Sequence, residues 1–370
     1  MTPRTLVVSL TFALLTNITL AATDSLAETR KKAEAGARAQ TLRGFMYETG
    51  DGVPKDTAEA AKCFRKAAEL GYAPAQSRLG VMYCNGDGVS KDTAEALKWF
   101  RKAAEQGYAP AQHGLGAMYD NGDGVSKDYA EAEKWFRKSA EQGLAAAQCR
   151  LGGMYYNGEG VPKDSVEAVK WFRKAAEQGD VVAQLELGEK YYRGDGMPKD
   201  SVEAAKWFRK AAEQGNIGGQ TMLGALYNEG DGVPKDSTET VKWFRKAAEQ
   251  GDAMGQFCLG CLYDKGKGVP QNSVEAVKWY RKAAEQGLVR AQKDLGTMYA
   301  NGDGVPKDFV QAHVWWNIAG AKGDEDAKKN LAIIEPQMTP DQKAEAMKLA
   351  RELFEKMPKS AEEVMAGLPP

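Results

Sequence analysis

The residues of this chain whose types could do chemistry are few: two histidines, five cysteines and a recurring set of Asp-Gly loops. An imidazole can serve as a base or a metal ligand, but His113 and His313 stand in separate segments. Neither a His-based zinc site nor a Ser–His–Asp arrangement is suggested. His113 occupies a variable helix position and His313 precedes Trp315-Trp316, so both read as ordinary surface or packed side chains. Cys258 and Cys261 spell C-x-x-C. Redox use of that motif needs a strand–helix–strand context. The pattern around it is helical, so the pair reads as two small, semi-buried thiols. Cys63 and Cys84 lie in successive helices and could meet. With Cys149 they complete an odd, irregular set rather than a disulfide framework.

The loops invite a calcium reading. With Gly88 as the obligatory glycine of an EF-hand, Tyr83 falls where the first Asp ligand belongs and Ala94 where the bidentate Glu belongs. Neither can ligate, and turn chemistry is enough. The loops contain GxG, but neither GxGxxG nor a Walker-type GKS/T occurs. Ser-x-x-Lys and Lys-Thr-Gly, elements of certain serine enzymes, are absent too. The expectation is a protein that is not an enzyme, with no catalytic residue, metal ligand or cofactor to assign.

What organises the chain is the stretch Lys98-Trp99-Phe100-Arg101-Lys102-Ala103-Ala104-Glu105-Gln106-Gly107, which recurs almost letter for letter. Its Trp position falls at Trp99, Trp135, Trp171, Trp207, Trp243, Trp279 and Trp315, and Cys63 fills it one period earlier. A fixed period of this size marks a stack of supersecondary units held by neighbour-to-neighbour contacts.

Each unit reads as two helices. Asp92 and Glu95 have capping-box spacing, repeated at Asp56/Glu59, Asp128/Glu131, Asp164/Glu167, Asp200/Glu203 and Asp236/Glu239. Losing one such cap costs on the order of 1 kcal/mol. Ala96, Trp99, Phe100, Ala103 and Ala104 then follow one apolar helical stripe. Gly107 suits the left-handed position that ends a helix. The first helix is expected to be shorter, Ala75 to Tyr83, with Ala75, Leu79, Met82 and Tyr83 on one face. Gly80 in its middle costs roughly 1 kcal/mol against Ala, and its recurrence in every unit points to close approach of the partner helix.

The ends differ. Residues 1–22 carry Arg4, an apolar run from Leu6 to Leu20, then Ala21 and Ala22, the order of a secretory signal. The run is short and interrupted for a span of an about 30 Å hydrocarbon core. The expectation is an exported chain, periplasmic or secreted, with no transmembrane segment once the signal is removed. Residues 23–36 read as a front capping helix stopping at Gly36. Residues 324–357 read as closing helices, with a capping box at Thr339-Pro340-Asp341-Gln342. Residues 358–370 read as a flexible tail. Basic and acidic residues balance, 50 against 51, and interleave through every unit. Nucleic-acid binding favours a basic field, and none is visible.

Ala75, Leu79, Gly80, Tyr83, Gly86, Gly88, Val89, Asp92, Ala96, Trp99, Ala103, Ala104 and Gly107 together resemble the Sel-one-like repeat, a relative of the tetratricopeptide repeat. The resemblance covers about residues 37–323, eight units. It implies an all-α fold, a right-handed α-solenoid of antiparallel helix pairs in 36-residue repeats. It also implies an adaptor, often exported in bacteria and serving signalling, envelope assembly or host interaction. Three departures bear on packing: Arg43 in a Leu position, Lys190 in a Met position and Cys63 in the Trp position.

Identity between units marks scaffold, and variation at fixed positions marks where selection can reside. In such superhelices the first helices line the inner groove, here on the order of 70 Å long. The candidate protein-binding residues are Arg78, Asp120, Arg150, Tyr156, Glu189, Tyr192, Asn228, Asp264, Lys293 and Asp294. Tyr156 and Tyr192 occupy equivalent positions in successive units, and aromatic anchors beside Arg are typical of binding hot spots. The expected function is a monomeric, non-enzymatic scaffold for a protein or peptide partner. A structural envelope-assembly scaffold is the alternative. A cell-wall or β-lactam-directed hydrolase is the outside alternative, because a cysteine-rich branch of the family is linked to such chemistry. The regular cysteine pair of that branch is missing here.

Overall fold

A computed structural model describes residues 31–32 and 34–358. The expected signal, most of the front cap and nearly all of the tail therefore lie outside the described residues. The described chain is helical throughout, without a strand. It divides into two compact units, one through Asp180 and one from Val181.

In the first unit, α1 (34–49) is followed by α2 (Thr57–Glu69), α3 (Ala73–Asn85), α4 (Thr93–Glu105), α5 (Ala109–Asn121), α6 (Tyr129–Glu141), α7 (Ala145–Asn157) and α8 (Ser165–Glu177). The second unit holds α9 (Val181–Arg193), α10 (Ser201–Glu213), α11 (Ile217–Glu229), α12 (Ser237–Glu249), α13 (Ala253–Lys265), α14 (Ser273–Glu285), α15 (Val289–Asn301), α16 (Phe309–Ala321), α17 (Glu325–Ile334) and α18 (Pro340–Lys356). From α3 to α16 each odd-numbered helix packs against the even-numbered helix that follows it, giving stacked helix pairs, and α17 packs back on α16.

The two helices of a repeat are equal, 13 residues each, so the shorter first helix expected from sequence is corrected. The first helix begins at Ala73 and continues past Tyr83, because Gly86 in the left-handed conformation is what ends it. The helical stop expected at Gly36 is also absent. Residues 34–49 run through it without a break, and the left-handed turn comes at Gly50.

The Asp caps are present, but not as full boxes. Asp56, Asp92, Asp128, Asp164, Asp200 and Asp236 each accept from two backbone N–H groups of the first helical turn. The glutamates do not reach back to the caps. The Asp92 N–H already donates to the Tyr83 carbonyl at 3.0 Å, and Glu95 turns to Lys98 at 3.0 Å instead. The reciprocal box does form at Thr339 and Gln342, opening α18 with Pro340 at its first position.

The apolar stripe of the second helix is the core: Ala96, Trp99, Phe100, Ala103 and Ala104 are all buried. The mid-helix glycine of the first helix makes room for the ring beside it. A Cβ on Gly80 would lie 3.1 Å from Phe100, and one on Gly152 would lie 2.9 Å from Phe172. The loop glycine locks successive repeats. Gly88 has φ +69°, and a Cβ there would collide with the Thr57 carbonyl at the start of the preceding repeat's second helix.

The departures from the pattern are absorbed locally. Arg43 is exposed and lies over the Tyr47 ring, 5.6 Å from its centroid, while Phe45 packs edge-on against Phe64. Lys190 is buried in the Met position, with its ammonium 3.4 Å from Glu186. At the far end α16 carries apolar side chains all round, and α15, α17 and α18 pack against it.

Candidate partner-binding surface

Three side-chain systems repeat with the period; the first two hold neighbouring repeats together and the third lies within the second helix. The first is a glutamine ladder. The buried Gln76 amide donates to the Ala68 carbonyl at 3.0 Å, and its oxygen accepts from the Gln106 amide at 2.7 Å. Gln112 and Gln148 do the same in the first unit, as do Gln220 and Gln256 in the second. The ladder ends at Gln292. Lys322 stands where the next glutamine would be, and the buried Gln292 oxygen has no partner. The second is an arginine–tyrosine staple. Arg101 donates to the Tyr119 hydroxyl at 3.0 Å and Arg137 to Tyr155 at 2.6 Å, with Arg65–Tyr83, Arg209–Tyr227 and Arg281–Tyr299 in the same relation. The third places a lysine over the tryptophan of six repeats, as Lys174 lies 4.0 Å from the Trp171 ring centre. The Trp-Phe-Arg-Lys run thus contributes to the scaffold in these repeats.

The variable positions lie on the first helices, and most are half-buried rather than freely solvated. Neighbouring first helices are close enough that several candidate residues engage each other. Arg78 pairs with Glu48 of the preceding repeat, its Nε donating at 3.0 Å. Arg150 binds Asp120 through two bonds of 2.9 and 2.7 Å, and reaches Glu159 at 2.8 Å. Arg78, Asp120 and Arg150 therefore help to set the stacking.

The other candidates are less committed. Lys163 lies over Tyr156 and Lys199 over Tyr192, at 5.4 and 5.1 Å. Glu189 pairs with Arg193 on its own helix at 3.3 Å, and Asn228 is exposed. Lys293 is 3.7 Å from Asp326. Burial pushes the Asp294 carboxyl above the ordinary carboxylate range; Lys293 opposes the shift and Asp264 adds to it.

The chemistry-bearing residues have structural surroundings. All five cysteines are free thiols. Burial pushes Cys258 up to about 12 and raises Cys261, which accepts a 3.4 Å hydrogen bond from the Tyr280 hydroxyl. A reactive C-x-x-C needs the opposite shift. His113 stacks near Phe136, and burial lowers its pKa. His313 is fully buried in α16, and neither ring nitrogen has a hydrogen-bond partner. Among the described residues no group of three or more His, Cys, Asp or Glu is placed to hold a metal ion. No helix among them is long and apolar enough to cross a membrane.

The sequence profile of the Sel1 repeat matches residues 37–72, 73–108, 109–144, 145–180, 181–216, 218–252, 253–288 and 289–324. Among solved structures, a Sel1 repeat protein from Oxalobacter formigenes is 35% identical, with 84% of this chain and 90% of that chain covered and a TM-score of 0.60. A protective antigen present in uropathogenic Escherichia coli strains, displaying an SLR fold, is 36% identical, with 86% and 84% covered and a TM-score of 0.45. No curated protein matches the chain.

Proposed function

The chain belongs to the Sel1 repeat family, and on that premise we propose that it is a non-enzymatic scaffold that binds a protein or peptide partner along its first helices. The observation that carries this reading is the division of labour between the two helices. The recurring apolar positions of the second helix are used in packing, its Asp in capping and its Arg in stapling, while the first helices differ at fixed positions from repeat to repeat. A surface that varies on a constant frame suits selection of one partner. Tyr156, Glu189, Tyr192 and Asn228 are the residues best placed for it, since Arg150 and Asp120 are engaged with each other.

Export belongs to the same proposal. It rests on the order of Arg4, the apolar run Leu6 to Leu20, and Ala21-Ala22. The partner is then a component of the envelope or of the surroundings, and N-terminal sequencing of the fractionated mature chain checks the cleavage.

The binding test uses the full-length chain as bait, crosslinked in envelope extract. A specific protein should be retained, and joint Tyr156→Ala and Tyr192→Ala substitution should release it at a temperature where circular dichroism shows both forms folded. Retention that survives the double substitution would contradict the reading.

A further inference from the structure

Two junctions between repeats use the same positions in opposite ways. Between repeats 109–144 and 145–180, Arg150 links Asp120 of α5 to Glu159 of its own loop. The same positions between repeats 218–252 and 253–288 are Cys258, Asn228 and Lys267. The long arginine has become a short thiol, and the loop acid has become a base. What remains is a cavity of about 240 Å³ whose floor includes Ala225, Phe244, Cys258 and Leu262. Asn228, Glu229, Lys265 and Lys267 form its rim.

The loop at this junction is also inverted in charge. In four repeats an asparagine closes the loop onto an acid two residues on, as Asn121 does to Asp123 at 3.2 Å and Asn301 to Asp303 at 3.0 Å. Here Lys265 and Lys267 flank Gly266, and like charges cannot close on each other. Both are exposed, and neither has a salt-bridge partner among the described residues. Glu229 is the acid on the rim, set against those two ammonium groups.

We propose that this junction is a socket for an acidic peptide segment of the partner. One apolar side chain enters the cavity onto Phe244 and Leu262, and flanking carboxylates meet Lys265 and Lys267. The volume falls below the roughly 300–1,000 Å³ of small-molecule sites, which suits an inserted side chain better than a free cofactor. Exposed ammonium groups give attraction that salt screens, so binding weakens as ionic strength rises. This assignment rests on the protein-binding reading above and names the partner chemistry at one place along it.

The test is fluorescence anisotropy on the full chain with a labelled peptide carrying a central Phe flanked by Glu-Asp on both sides. It should bind at least about tenfold tighter, at low salt, than counterparts with Lys-Lys flanks or with Ser for Phe. Joint Lys265→Asn and Lys267→Asp substitution installs what repeat 109–144 carries at Asn121 and Asp123, and should erase the preference for acidic flanks. Cys258→Met installs what the preceding repeat carries at Met222, and should erase the preference for Phe over Ser. Unchanged melting curves establish that both variants are folded. Equal binding of the acidic and basic peptides, or wild-type binding by the lysine variant, would overturn the socket. The crosslinking result with Tyr156 and Tyr192 reports on the broader reading separately.

Discussion

The junction around Arg150 and the junction around Cys258 share a frame and differ in what fills it. Both have a first-helix glycine against a second-helix ring: Gly152 on Phe172, and Gly260 on Tyr280. Both carry the glutamine ladder, through Gln148 and Gln256. At one, Arg150 satisfies itself on two acids; at the other, the same position leaves a cavity under unpaired lysines. The repeat therefore separates two tasks. The repeated frame recurs at both junctions, and the positions beside it can be filled from within or left for something else.

The shared frame should show the largest effects. Phe172→Ala and Tyr280→Ala are each expected to cost about 3–5 kcal/mol, because a large buried ring is lost from its place against the first-helix glycine. Hydrogen exchange of the flanking helices reads this locally, as an array need not unfold in one step. A junction that tolerated the loss would not share the frame. The ladder comes next. Gln148→Ala should cost about 1–3 kcal/mol, since it removes two hydrogen bonds at a buried side chain, one to the Ala140 carbonyl and one from the Gln178 amide. Gln292→Ala should cost less, because the Gln292 oxygen is already unpartnered.

The contrast itself is sharpened by Arg150→Ala, expected to cost about 1–2 kcal/mol, discounted because the guanidinium is partly exposed. Cys258→Ala should cost under about 1 kcal/mol, as it removes a sulfur beside space already open. Equal costs in chemical denaturation would remove the distinction between the two junctions. The smallest effect has the opposite sign. The Asp294 carboxyl is raised by burial, so the folded state holds its proton more tightly than the unfolded state does. Stability from this group is intact at low pH and is lost as pH rises from the ordinary carboxylate range through the raised value. Asp294→Asn should therefore stabilise the chain at neutral pH and make no difference in acid, as thermal melts at the two extremes would show.

The features legible in the sequence were those set by local periodicity. Trp99 and Phe100 at helical spacing, Asp92 before a helix, and Gly86 and Gly107 after one state their roles within a few residues. What escaped depends on neighbours distant in sequence. Gln76 and Gln106 recur at the same period as Trp99, so their signal was present, but their bond joins side chains on different helices. The direction of Glu95 was misread because a carbonyl from the preceding helix, Tyr83, takes the N–H the glutamate would have used. Arg78, Asp120 and Arg150 looked free because their partners come into reach only when first helices stack. Burial of Asp294 likewise went unread, whereas the semi-buried state of Cys258 and Cys261 agrees with the sequence pattern.

The central claim is that the second helices build the stack and the first helices select the partner. The most direct measurement is a titration of the captured partner against three forms of the full chain, with thermal melts in parallel. Wild type sets the reference, Glu189→Ala with Asn228→Ala alters variable positions, and Trp243→Phe alters the scaffold. The account predicts at least about a tenfold loss of affinity with an unchanged melt for the first variant, and a lowered melt with near-normal affinity below it for the second. Wild-type affinity in the first variant, or lost affinity with an unchanged melt in the second, would contradict it.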